Sequence, residues 1–183
     1  MNAVMSGALL VWSLQARSVP TLPAIAATPA VPPRLAAARA LVLSDQAQRF
    51  LTLQYRSFRT EFLGCMIGEV RGDVVLVQRI APADVAPSRS TPTGVVPSQT
   101  CEEAGWTGTV GIIHSHPTGE RCWYYFPGTQ VPTSDEQSFV RTPYLVDAIM
   151  CGETVVWINR DMTESQLALA EGGDRLSLAG GAR

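Results

Sequence analysis

Two periodicities divide the middle of the chain. Behind Ser44, with Asp45 in the first turn, Ala47, Phe50, Leu51, Tyr55 and Phe58 recur at three- and four-residue spacing. That pattern predicts a capped amphipathic helix ending near Thr60. Phe62 to Val70 and Val74 to Ile80 are short apolar runs joined by Arg71-Gly72-Asp73, which predicts a hairpin between two buried strands. Thr109 to Ile113 reads as a further buried strand, and Ser134 to Arg141 as a short helix stopped before Pro143. Tyr144 to Met150 and Thr154 to Asn159 read as paired strands around Cys151-Gly152-Glu153, and Thr163 to Glu171 as one more helix. No internal repeat is visible.

The segments outside these patterns have a different character. Residues 1–43 carry no acidic residue and three Arg, with five prolines between Pro20 and Pro33. Such a run cannot be a continuous helix or a central strand, so 1–43 is expected to be a flexible leader. Its apolar stretch Ser6 to Leu14 lacks the positive flank of a secretory signal and is too short to span a bilayer. Residues 44–171 form the expected domain, and the glycines at 172, 173, 180 and 181 mark a frayed tail over 172–183. Ala81 to Gly105, rich in Pro, Ser and Thr, is expected to be a long surface connection, with Cys101 to Gly105 as a helical turn.

Composition narrows the picture only a little. A chain of 183 residues holds one domain with tails, and an apolar fraction of 46% excludes a wholly disordered chain. A formal charge of -2 gives no general attraction to nucleic acid or to an anionic membrane, so neither is expected as a partner. All fourteen basic residues are Arg. Cys65, Cys101, Cys122 and Cys151 form no Cys-x-x-Cys pair, which excludes a zinc ribbon and a thioredoxin-type motif. Free thiols in a reducing, cytoplasmic setting are the easier reading, although an even count leaves two disulfides open.

The chemistry gathers at His114 and His116, the only histidines in the chain. At the end of a strand, residues two apart project to one face, so both imidazoles can reach one ion. By itself this pair is weak evidence, since two ordinary core or surface histidines would look the same. A zinc site also needs a third ligand, and a catalytic one keeps a position open.

Taken together, Glu61-Phe62-Leu63-Gly64-Cys65-Met66-Ile67-Gly68, Gly111-Ile112-Ile113-His114-Ser115-His116-Pro117 and the Ser/Asp-bearing helix start at Ser134-Asp135 resemble the JAMM (MPN-plus, JAB) zinc metallopeptidases over roughly 44–161. The resemblance implies an α/β domain whose mixed, mostly antiparallel sheet is flanked by helices, as the order of elements permits. It implies one Zn²⁺ held by His114 and His116 with Glu61 as general base. The implied substrate is a protein or peptide, such as the tail of a ubiquitin-like or sulfur-carrier-like protein. This sequence departs from the family in its third element. Eighteen residues separate His116 from Asp135, longer than the family's spacing, and an insertion around Arg121 to Phe126 would account for the excess. Ser-x-x-Asp is not present as such. Asp135 is the preferred third ligand because Gln137 offers no anionic oxygen, Glu136 is the alternative, and Ser134 is the nearest stand-in for the family's serine.

Each of these residues has a plainer reading. Glu61 can be a solvated helix-end residue, Ser134 and Asp135 can simply cap a helix, and Glu69, beyond Gly68, is expected to be exposed. Cys122 can be a soft zinc ligand, but a loop thiol without a role is the simpler expectation. Trp123-Tyr124-Tyr125-Phe126 either packs the insertion onto the domain, the preferred reading, or lines a peptide groove. The rival to an enzyme is a non-catalytic MPN-like binding scaffold. A zinc deaminase is disfavoured, because no His-x-Glu with a Pro-Cys-x-x-Cys partner occurs.

Overall fold

The computed structural model describes residues 38–169. The expected helix is α1 (Asp45–Ser57), capped by Ser44, whose Oγ accepts from the Ala47 N–H at 3.1 Å. The expected hairpin is β2 (Leu63–Arg71) and β3 (Val74–Pro82), turning through Gly72 at positive φ. Upstream of the expected domain start lies β1 (Ala40–Leu43), which pairs in parallel with β3. Its four residues were indistinguishable from the Ala-rich leader, and only the open edge of β3 makes them a strand. The remainder of the expected leader, residues 1–37, and the tail 172–183 lie outside the described residues.

The central strand is β6 (Thr109–Ser115), following a two-stranded hairpin of β4 (Ser90–Thr91) and β5 (Gly94–Val95). After it come α2 (Ser134–Val140), β7 (Val146–Cys151), β8 (Thr154–Asn159) and β9 (Glu164–Ala168). The main sheet has seven strands in the order β1-β3-β2-β6-β7-β8-β9, with β6 in the middle. The β1–β3 and β6–β7 pairs are parallel and the other neighbours antiparallel. The architecture is thus a mixed sheet carrying two helices.

β9 corrects the expected helix over Thr163 to Glu171. The segment contains good helix formers, but Leu167 and Leu169 stand two apart and both turn toward the main core. Pairing with β8 also satisfies that strand's open edge, so tertiary context outweighs local propensity.

The two faces of the sheet are covered differently. On one face α1 presents Ala47 and Leu51 to the main core, with Met66, Val75, Val77, Ile113, Val146, Ala148 and Met150 of the strands. The other face carries two smaller clusters, one around Cys65, Ile67, Cys101 and Tyr144, the other around Tyr124, Phe139, Ile149, Val156 and Ile158. His114 lies on this second face, opposite Leu63 of β2 and Ile149 of β7.

A glycine lets β2 and β3 approach closely. At Gly68, where the β2–β3 register shifts, a Cβ would stand 1.9 Å from the Leu76 carbonyl oxygen, which is backbone and cannot swing away. Gly68→Ala should therefore destabilise the fold by about 1–3 kcal/mol, as overpacking does. Ser44→Ala, which removes only the helix cap, should cost about 1 kcal/mol. Urea unfolding followed by circular dichroism measures both.

Candidate metal centre

The strand end delivers both histidines as the spacing implied. Their rings are 5.1 Å apart between centroids, both are buried, and α2 brings Asp135 over them. Asp135 Oδ1 is 3.8 Å from His114 Nε2, and its Oδ2 is 3.6 Å from His116 Nε2. Glu61 Oε1 lies 3.7 Å from His116 Nε2 on the other side. Ligand atoms of a tetrahedral zinc, at bonds of about 2.0–2.1 Å, stand about 3.4 Å apart, so these separations suit a shared ion. Among the described residues, His114, His116 and Asp135 form one of two groupings compatible with a metal, and Glu136 belongs to neither.

Hydrogen bonds around the histidines set their chemistry. His116 Nδ1 is 2.9 Å from the Glu120 carbonyl oxygen, which can only accept, so Nδ1 carries a proton and Nε2 is the nitrogen turned toward the carboxylates. Tyr55 of α1 donates to the His116 carbonyl at 3.1 Å, and the His116 N–H donates to Met150 O at 2.9 Å. His114 Nε2 is buried without a hydrogen-bond partner. Burial also drives His114 down to about 4, against the pull of Asp135 and with a smaller push from His116, so its imidazole is neutral at pH 7. A neutral, orphaned imidazole nitrogen is the form that binds a metal.

Glu61 is neither solvated nor part of α1. It sits in the link before β2 and is 5% exposed. Its N–H donates to Thr91 O at 2.7 Å, and Ser90 Oγ donates to its carbonyl at 2.7 Å. Beside it, Phe62 N donates to the Ser115 hydroxyl at 3.0 Å, tying the link to the end of β6. Burial, with the nearby charge of Asp135 adding to it, raises the Glu61 carboxyl to about 7. The connection expected to run over the surface thus contains a hairpin that clamps this residue.

The start of α2 differs from its expected reading. Thr133, rather than Ser134 or Asp135, is the N-cap; its Oγ1 accepts from the Glu136 N–H and donates to the Tyr124 carbonyl at 3.0 Å. Ser134 is exposed at the first helical position and lines the cleft above the histidines. Glu69 sits far along the hairpin beside Arg71, its side chain 42% exposed. The aromatic insertion divides its roles, since Tyr124 is fully buried in the second-face core while Phe126 is half exposed.

The cysteines also correct an expectation. Cys65 is bonded to Cys101 and Cys122 to Cys151, leaving no free thiol, so the premise of the reducing-compartment reading is removed. Neither pairing has a local signature, since the partners are 36 and 29 residues apart and meet only when loops fold back over the sheet. Cys122, bonded in this way, is not a thiolate ligand.

The cleft over the site measures about 520 Å³ and runs between the Pro92 to Pro97 segment and α2. Sequence reasoning missed Tyr55, Ser115 and Asp147 as members of this neighbourhood. The signal for Asp147 was available, since an acid in the otherwise apolar run Tyr144 to Met150 is unusual for a buried strand.

With this geometry in view, residues 43–123 match the family described as prokaryotic homologs of the JAB domain. Over that stretch the chain is similar to JAB-type domains, which supports the JAB/MPN resemblance. The matched stretch contains Glu61 and both histidines and ends before α2, so Asp135 lies outside it. The solution structure of a Desulfitobacterium hafniense protein aligns with 70% of this chain and 90% of its own at 16% identity and a TM-score of 0.40. No curated protein matches the chain.

Peptide mapping without reduction should recover the Cys65–Cys101 and Cys122–Cys151 linked pairs. Breaking either crosslink should lower stability by about 3–4 kcal/mol on the loop-closure model. Recovery of free alkylated cysteines from native protein would contradict the pairing.

Proposed function

We propose that this chain is a zinc-dependent peptidase or isopeptidase. His114, His116 and Asp135 would hold one ion and Glu61 would act as general base. The observation that carries the reading is the convergence of two imidazole Nε2 atoms and one carboxylate, with His114 Nε2 buried and otherwise unsatisfied. Zinc, when bound in such a set, acidifies water and polarises a carbonyl.

The chain's own residues supply the rest. Glu61, whose carboxyl is raised by burial to about 7, would take a proton from the attacking water and return it to the departing amine. The Glu120 carbonyl and Tyr55 keep His116 in one tautomer and one position. Ser134, which lines the cleft, would donate to a developing oxyanion. By analogy with the family the substrate is an extended protein tail, such as that of a ubiquitin-like or sulfur-carrier-like protein. A binding scaffold is the second reading, favoured by the position of Asp135 outside the matched stretch.

Purified protein should contain about one equivalent of zinc. His116→Ala and Asp135→Asn should lose it, whereas Glu136→Gln should keep it; a folded wild-type protein that takes up no zinc supports the scaffold instead. Glu61→Gln should retain the metal yet lose about 10²–10⁴-fold in hydrolysis of ubiquitin-like fusions. Undiminished cleavage by that variant would remove Glu61 from the general-base role.

A further inference from the structure

Beyond the metal ligands the cleft has a second acidic feature. Asp147 sits on β7 between Ile112 of β6 and Ile158 of β8, on the face that carries His114. It is 2% exposed and lines the cleft with Ile112, Ser138 and Thr142. Its one hydrogen bond of normal geometry comes from the N–H of Ala148, at 2.9 Å. The hydroxyl of the buried Tyr124 approaches it without completing another.

No cation among the described residues lies within ion-pair distance of Asp147. Arg160 is the nearest positive influence, but its guanidinium is committed elsewhere. It donates to the carbonyls of Phe139 and Thr142 and stacks 4.2 Å from the Phe139 ring centroid. An acid buried in this way is costly to ionise, and burial holds it well above the usual carboxylate range, with Asp135 adding to the effect. A hydrophobic residue would pack this strand position at less cost. A buried acid without a counter-ion, set in the wall of a cleft, points to a partner that arrives from outside.

The cleft's charge agrees. Its lining holds Glu61, Glu120, Asp135 and Asp147 against a single arginine, Arg121. With Glu61 and Asp135 assigned to the catalytic centre, Glu120 and Arg121 offset each other, which leaves Asp147 as the acid of the cleft wall that can meet a cation.

We propose that Asp147 is a specificity residue that receives a guanidinium or ammonium group from the substrate residue next to the scissile bond. This rests on the peptidase reading and narrows it to substrates with a basic residue near the cut. Asp147 pairs with the arriving cation in a wall that Ser138 and Thr142 also line. Hydrolysis itself is left to Glu61 and the metal ligands.

The test separates charge from shape. The full chain is titrated with butylguanidinium and with butylurea, its neutral near-isostere, while the Ala148 amide is followed by NMR. The expected result is movement of that amide and at least about tenfold tighter binding of the guanidinium compound. In Asp147→Asn the preference should vanish with zinc content unchanged. Equal affinity of the wild type for the two compounds, no binding of either, or a preference that survives in Asp147→Asn overturns the proposal. The wild-type comparison decides even where the variant fails to fold. Cleavage of fusions is scored separately: guanidinium selectivity without any hydrolysis defeats the peptidase reading, whereas hydrolysis without selectivity defeats only the role of Asp147.

Discussion

The pleat of one strand organises this molecule. β6 lies fourth of seven in the sheet, so its backbone is hydrogen-bonded on both sides and its side chains have only two directions to take. Toward α1 it sends Ile113 into the main core; toward the other face it sends Ile112 and His114, with His116 following just past the strand's end. A slip of one residue would bury the chemistry and expose the core, so the packing of α1 fixes the register of the histidines. The site is thus a by-product of a well-covered face, presented on one that is covered less.

That second face explains the rest of the architecture. Its two hydrophobic clusters are small, and each is joined to a crosslink, Cys65–Cys101 on one side and Cys122–Cys151 on the other. The crosslinks hold down the two long connections that form the cleft walls. One connection clamps Glu61 through Ser90 and Thr91; the other supports α2 through Tyr124 and Thr133. Covalent ties do here what a larger apolar layer would otherwise do, and they leave the space between them open.

Much of this was legible in the chain because it is local. The stripe from Ala47 to Phe58, the turn at Gly72 and the His114–His116 spacing each follow from short-range periodicity, and each reappears within a few residues of its expected bounds. What was not legible depends on distant partners. β1 and β9 exist because β3 and β8 have open edges, the disulfides exist because loops return to the sheet, and the helix cap falls on Thr133 because Tyr124 offers it a carbonyl. The contest between Asp135 and Glu136 was of the same kind. Spacing could not choose between adjacent acids, whereas the direction in which α2 enters places Asp135 alone against both imidazoles.

The proposed function depends on which side chains would surround a bound zinc ion. X-ray absorption at the zinc edge of the oxidised, zinc-loaded protein reads this directly. The geometry predicts two imidazole nitrogens and carboxylate or water oxygens at about 2.0–2.1 Å, with no sulfur. A sulfur shell at about 2.3 Å would instead place the metal with His116, Cys122 and Cys151, the other candidate grouping, and would contradict both the pairing of those cysteines and the site described above.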